Sequence, residues 1–170
     1  MYALCERAGG HAEIRSTPGA GTTISLWLPA SAHAPAPVDA VSPSQQALGR
    51  SVLLVEDNPE VGAVVHAVLE QLDCTVMAVS NAAAALEVLA TEARRFDLML
   101  TDVVMPGGMD GASLAGVVRE RYPFLQILLM TGYAQQIQAI DAMGFRVLPK
   151  PFTPEVLAEA LGALDAATAG

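Results

Sequence analysis

Polar residues with complementary chemistry stand at or within two residues of the ends of four short apolar segments of the chain. They are Glu56 and Asp57, then Asp102, Thr131 and Lys150. Three carboxylates brought together would repel one another, and Mg²⁺ relieves that repulsion because it takes oxygen ligands and often needs only one or two carboxylates. A carboxylate can attack phosphorus to give an aspartyl phosphate, while a lysine ammonium and a threonine hydroxyl can stabilise the transferring group. These residue types suit magnesium-dependent transfer of a phosphoryl group to a carboxylate.

Lys150 is the only lysine of the chain, and all eight other basic residues are arginines. A lysine supplies a compact point charge on a flexible stem, which the planar guanidinium of arginine does not. This bias favours a functional role for Lys150 over a chance surface position.

Five apolar runs and the helical patterns between them predict how these residues are positioned. The runs are residues 51–55, 75–79, 98–100, 126–130 and 146–148, and segments with helical spacing lie at 61–72, 82–90, 114–118 and 156–164. Short apolar strands alternating with helices indicate a parallel sheet covered on both faces, with right-handed crossovers. We therefore predict a doubly wound α/β fold. Ligands of such sheets bind at the carboxyl ends of the strands.

The chain before this pattern divides into two further segments. Residues 30–49 are rich in Ala, Pro and Ser without hydrophobic periodicity, which predicts a linker. In residues 1–29, a helix tail at 1–8 and two strands at 11–16 and 22–28 are expected to form a hairpin fragment that is too small to fold stably alone. The main domain is assigned to residues 50–168.

Composition excludes several classes of function. The 170 residues are 52% hydrophobic, and 18 acidic against 9 basic residues give a net charge of −9. That balance argues against nucleic-acid binding. A signal peptide and an apolar run long enough for a membrane span are lacking, so a cytoplasmic protein is expected. Cys5 and Cys74 form no metal or redox spacing.

The motifs resemble the receiver domain of two-component response regulators over about two thirds of the chain. They are Val55-Glu56-Asp57-Asn58, Asp102-Val103-Val104-Met105-Pro106, Thr131-Gly132 and Lys150-Pro151-Phe152. The resemblance implies a five-stranded flavodoxin-like sheet of order 2-1-3-4-5. It also implies phosphorylation by a partner, either a histidine kinase or a histidine phosphotransfer protein.

The same resemblance implies a role for each acidic residue. Asp102 corresponds to the phosphoacceptor, which takes the phosphoryl group from a phosphohistidine. Glu56 and Asp57 correspond to the acidic pair that binds Mg²⁺ together with Asp102 and the backbone carbonyl of Val104.

Four further positions concern the switch between inactive and active conformations. Thr131 resembles the switch residue that turns toward the phosphoryl group, and Lys150 the lysine that contacts it, with a cis bond to Pro151. Val147 stands where many receivers carry Tyr or Phe, so this chain departs from the aromatic half of the usual switch. Tyr133 is expected to shape access to Asp102.

Residues 1–29 resemble the last hairpin of a histidine-kinase ATP-binding domain. The resemblance lies in Gly9-Gly10-His11, Ser16-Thr17-Pro18-Gly19-Ala20-Gly21-Thr22-Thr23 and Leu26-Trp27-Leu28-Pro29. It implies the C-terminal receiver of a hybrid histidine kinase, itself not an enzyme. The boxes that hold nucleotide are absent, so we expect no ATP binding. Unprotected strand edges of the hairpin are expected to allow a homodimer.

Two other classes of function remain as alternatives. One is a degenerate receiver that acts as a phosphorylation-independent protein-binding module. The other is a magnesium-dependent phosphohydrolase with an aspartyl nucleophile. Val104 counts against the second, because such enzymes usually carry a second aspartate there. The sequence does not distinguish three roles for a receiver: relaying phosphate, draining it from a kinase, or regulating the kinase in cis.

Overall fold

The structure, a computed structural model, describes residues 9–17, 19, 21–27, 29, 49–106 and 108–168. The helix tail expected at 1–8 and nearly all of the predicted linker lie outside the described residues. Contacts divide the chain into two units, one containing an N-terminal hairpin and the other a five-stranded sheet.

The N-terminal unit contains an antiparallel hairpin of two strands. Strand β1 (His11–Thr17) pairs with β2 (Gly21–Trp27), with Ile14 opposite Ile24. Within the described residues these two strands pair only with each other. The hairpin agrees with the predicted strands to within about one residue at each end.

The larger unit alternates strands and helices along the chain. Its elements are β3 (Ser51–Val55), α1 (Pro59–Gln71), β4 (Thr75–Val79), α2 (Ala82–Glu92), β5 (Leu98–Asp102), α3 (Gly111–Arg121), β6 (Gln126–Thr131), α4 (Ala134–Ala142), β7 (Arg146–Pro149) and α5 (Pro154–Thr168). A short 3₁₀ turn, Ala93–Arg95, follows α2. Side-chain oxygens of Asn58, Asn81 and Asp110 cap α1, α2 and α3 by accepting backbone N–H bonds.

The sheet is parallel throughout, in the order β4-β3-β5-β6-β7. Counted from β3, this is the order 2-1-3-4-5, so the doubly wound flavodoxin-like fold is confirmed. The order reverses at β3, which lies between β4 and β5. A crevice at the carboxyl ends is expected at that point in an open parallel sheet.

Two cores cover the two faces of the sheet. Alternate residues of β3 point to opposite sides: Leu53 and Val55 pack toward α2, α3 and α4, whereas Val52 and Leu54 pack toward α1 and α5. All four of these β3 side chains are fully buried. Because β3 is paired with β4 on one side and β5 on the other and is buried on both faces, it is held firmly in place, and so is the residue that follows it in the chain.

Three details differ from the expectations drawn from the sequence. Helix α4 (Ala134–Ala142) lies outside the four segments for which helical spacing was predicted. The edge strands β4 and β7 are only partly buried, since each has a neighbour on one side only. Val64 and Val65 both lie among the apolar residues at helical spacing in segment 61–72, yet Val64 is 65% exposed whereas Val65 is 3% exposed. Helix α1 packs against the sheet through Val65 and Leu69, and Val64 lies outside this packed face. In the described part of the chain, none of the helices has the length and apolar character needed to cross a bilayer.

Candidate functional site

Three carboxylates meet at the carboxyl ends of β3 and β5. The register pairs Val55 with Thr101, so the residues that follow them, Glu56 and Asp102, leave the sheet at the same level. One oxygen from each of Glu56, Asp57 and Asp102 lies within 4.8 Å of the others. A cluster made only of carboxylate oxygens fits Mg²⁺, a hard cation that takes oxygen ligands.

Lys150 supplies a positive charge to this cluster. It follows β7 directly, and its ammonium donates to Glu56 Oε2 at 2.7 Å and lies 3.3 Å from Asp102 Oδ2. The Glu56 side chain is 3% exposed and that of Lys150 is 21% exposed. A nearly buried carboxylate requires a partner because its desolvation is costly. The ion pair therefore stabilises Glu56 and places a cation beside the Asp102 carboxylate.

The peptide around Asp102 is held in place by its neighbours. The Val103 N–H donates both to Met130 O at 2.9 Å and to Asp102 Oδ1 at 2.8 Å. The Thr101 hydroxyl donates to the Asp102 carbonyl at 3.0 Å. One oxygen of the Asp102 carboxylate thus faces the backbone, and the other faces Lys150.

Gly111, the first residue of α3, approaches the backbone of Asp102 very closely. A Cβ built there would lie 1.8 Å from the Asp102 carbonyl oxygen, and the Gly111 N–H donates to Val103 O at 2.9 Å. Only glycine fits this approach. Gly111 was not among the site residues predicted from the sequence. The signal that was available is the sequence Asp110-Gly111, a helix cap followed by a residue without a side chain.

Thr131 lies at the end of β6 and is almost fully buried. Its hydroxyl donates to Gln136 Oε1 at 2.7 Å and accepts from the Tyr133 N–H at 3.1 Å. Its carbonyl accepts from the Lys150 N–H at 2.7 Å. The hydroxyl is therefore engaged by the start of α4. Gln136 was also missed, and nothing in its spacing from Thr131 would have singled it out.

The remaining predicted residues border the site. Val104 and Tyr133 are 44% and 62% exposed, and Tyr133 is the residue that precedes α4. Val147 is half-buried in β7 and packs against the core under α4. The Lys150–Pro151 peptide bond is cis, as the resemblance implied.

Comparison with known proteins agrees with this geometry. A family model described as the response regulator receiver domain matches residues 52–162. The response regulator protein FleR of Pseudomonas aeruginosa is 42% identical over 113 residues, which cover 65% of this chain and 23% of FleR.

Similarity to a sensor kinase extends further toward the N-terminus. Sensor kinase CckA of Brucella abortus is 30% identical over 171 aligned residues, covering 93% of this chain and 18% of CckA. This chain therefore spans less than a quarter of either relative.

Among solved structures, the chemotaxis protein CheY4 of Vibrio cholerae is similar with a TM-score of 0.60 and 30% identity, covering 68% of this chain and 98% of that one. The match over residues 52–162, the strand order and the carboxylates at the strand ends lead to one conclusion: this chain belongs to the response regulator receiver domain family.

Proposed function

We propose that this chain accepts a phosphoryl group on Asp102 from the phosphohistidine of a histidine kinase or histidine phosphotransfer protein. The observation that carries the proposal is the cluster of Glu56, Asp57 and Asp102 oxygens with the Lys150 ammonium beside it. Bound Mg²⁺, held by these three carboxylates and the Val104 carbonyl, would neutralise charge on the carboxylates and the phosphoryl oxygens.

The transfer step needs no proton from this chain. An ionised oxygen of Asp102 forms the new P–O bond while the P–N bond of the phosphohistidine breaks. The electron pair of the broken bond stays on the departing imidazole nitrogen. Lys150 offsets the charge that builds up on the phosphoryl oxygens, so the site acts by positioning and charge neutralisation.

Intact mass spectrometry tests this proposal directly. Incubation with acetyl phosphate, or with phosphoramidate as a phosphohistidine analogue, should add one phosphoryl group in the presence of Mg²⁺. Asp102→Asn should abolish the addition. Asp141→Asn, in an exposed part of α4, is the matched control and should be modified like the wild type. If the wild type gains no mass, the chain is a degenerate receiver that acts by binding alone.

Magnesium binding is tested separately by calorimetry. Asp57→Asn removes one carboxylate from the cluster and should weaken Mg²⁺ binding at least about tenfold, because loss of a charged oxygen ligand is poorly compensated. Asp141→Asn should again match the wild type. Equal affinity in wild type and Asp57→Asn would place the cation elsewhere.

We infer that Thr131 is the switch residue and that Tyr133 shapes access to Asp102. Burial of the Thr131 hydroxyl and exposure of the Tyr133 ring support this division. Val147 has no ring to reorient, so the switch here would depend on Thr131. Tyr133→Ala should then change the rate of phosphorylation by small donors without abolishing it.

We further propose that the chain is the C-terminal receiver of a cytoplasmic hybrid histidine kinase, with residues 1–29 as the last hairpin of the kinase ATP-binding domain. The alignment with CckA, which runs beyond the receiver, and the β1–β2 hairpin support this context. An antibody against this chain should detect a much larger protein in the source cells. A band of only the mass of this chain would contradict the proposal.

The hairpin also supports a homodimer of this chain. Ile14, Ile24 and Trp27 are each about half exposed or more, and strand edges readily pair with other strands. Light scattering should report a mass above that of one chain, reduced by Ile14→Lys. A strict monomer at high concentration would rule the dimer out.

A further inference from the structure

We infer that Gln136 is a positioning residue that holds the Thr131 hydroxyl in the unphosphorylated state and so opposes phosphorylation. The inference rests on the proposed function of Asp102 and adds to it a residue that regulates the same site. It starts from the 2.7 Å bond between Thr131 Oγ1 and Gln136 Oε1.

The hydroxyl of Thr131 has one proton to donate. In this structure the proton goes to Gln136, while the Tyr133 N–H occupies an acceptor position on the same oxygen. To donate to a phosphoryl group on Asp102, the hydroxyl must leave Gln136. The two bonds exclude each other, so Gln136 and the phosphoryl group compete for Thr131.

The backbone of Thr131 restricts where this competition takes place. Its carbonyl accepts from the Lys150 N–H, and β6 lies between β5 and β7 in the sheet. Thr131 is 1% exposed, so water is a poor substitute partner while the site is closed. Rotation of the Thr131 side chain would therefore replace its hydrogen bond to Gln136 with one to the phosphoryl group, while the backbone of Thr131 stays in place.

The start of α4 links this bond to the rest of the domain. Asn58, Asn81 and Asp110 cap α1, α2 and α3, and the Thr153 hydroxyl accepts from the Val156 N–H at the start of α5. Tyr133, at the same position of α4, makes no side-chain cap bond. Thr131 caps α4 instead, since its hydroxyl accepts from the Tyr133 N–H and donates to Gln136 in the first turn. Loss of the Thr131–Gln136 bond therefore loosens α4 where the other helices are capped.

The test measures binding of beryllofluoride, a phosphoryl mimic, to the full chain by calorimetry in the presence of Mg²⁺. Gln136→Ala should bind about fivefold more tightly than the wild type, because the bond that must be broken is absent. Gln135→Ala, in the same turn but exposed, should bind like the wild type. A merely structural role for Gln136 would not tighten binding of the mimic.

The coupling is tested in a Thr131→Val background, which keeps the shape of the side chain and removes the hydroxyl. There Gln136→Ala should leave affinity for beryllofluoride unchanged. Unchanged or weaker binding by Gln136→Ala alone, or tightening that persists without the hydroxyl, would overturn the inference. Failure of the wild type to bind the mimic would overturn the proposed function itself. This outcome is distinguishable from failure of the inference, because it is seen without any substitution at Gln136.

Discussion

The ammonium of Lys150 connects the carboxylates of Glu56 and Asp102, at 2.7 Å and 3.3 Å respectively. Glu56 and Lys150 are 94 residues apart in the chain. They follow β3 and β7, and the parallel sheet brings them together. One cation thus offsets part of the repulsion within the acidic cluster before any metal binds.

Removal of this ammonium should destabilise the domain. We expect Lys150→Ala to lower the free energy of unfolding by about 2 kcal/mol, because Glu56 loses a charged hydrogen-bond partner while nearly buried. Addition of Mg²⁺ should narrow the difference from the wild type, since the metal replaces the missing positive charge. Urea denaturation with and without Mg²⁺ measures both effects.

The matched control for this prediction is Arg146→Ala, on the exposed start of β7. It removes one positive charge from the same strand and should change stability by less than about 0.5 kcal/mol. A loss in Lys150→Ala that is equal with and without Mg²⁺ would contradict the charge argument.

Gly111 should not tolerate any side chain. Gly111→Ala places a methyl group against the Asp102 carbonyl, which must shift, and we expect a loss of about 3 kcal/mol or more in unfolding free energy. Phosphorylation by acetyl phosphate should fall as well, because the backbone of Asp102 moves.

Gly116→Ala provides the comparison within the same helix. A Cβ there meets nothing within 4 Å, and replacement of a helical glycine by alanine stabilises by up to about 1 kcal/mol. The two substitutions should therefore change the thermal midpoint in opposite directions. Similar effects of both would show that helix propensity, not the close approach to Asp102, determines the result.

Two adjacent valines of α1 should respond differently to truncation. Val65→Ala should cost about 2 kcal/mol through loss of buried contacts, since Val65 is 3% exposed. Val64→Ala should stay within about 0.5 kcal/mol. Denaturant midpoints of the two variants measure the difference, and equal costs would mean that the packed face of α1 is assigned wrongly.

Cys74 should be an unreactive thiol in the folded protein. Burial raises the pKa of the Cys74 thiol above its usual value of 9.0, so little thiolate forms near pH 8. In a Cys5→Ser variant, iodoacetamide should modify Cys74 slowly, and urea should accelerate the reaction.

The same pKa has a consequence for stability. The folded state keeps the thiol proton to higher pH than the unfolded state. The contribution of the neutral Cys74 thiol to the unfolding free energy is therefore fully present below about pH 9 and is lost as the pH rises further. The unfolding free energy should decline more steeply above pH 9 in the Cys5→Ser variant than in a Cys5→Ser/Cys74→Ala variant. Parallel pH profiles would contradict the assignment.

The strands and the residues at their ends were predictable because a buried parallel strand is an uninterrupted apolar run. The run 51–55 ends where Glu56 begins, and the same rule gave Asp102, Thr131 and Lys150. Gly111 and Gln136 were not predictable in this way, because their contacts depend on the path of a loop rather than on a periodic pattern. The prediction that Val64 belongs to the buried face of α1 was wrong for a related reason. Its hydropathy and spacing match those of the buried residues, but only the packing of α1 on the sheet determines which side chains are covered.

The two oxygens of the Asp102 carboxylate are chemically distinct in this fold. Oδ1 accepts from the Val103 amide, whereas Oδ2 faces the Lys150 ammonium. Phosphorylation at Oδ1 would break the hydrogen bond that this oxygen accepts from the main chain. At Oδ2 the Lys150 ammonium could instead contact the incoming phosphoryl group. The backbone of Val103 thus makes the two oxygens inequivalent, and on the proposed function it would favour Oδ2 as the oxygen that forms the new bond to phosphorus.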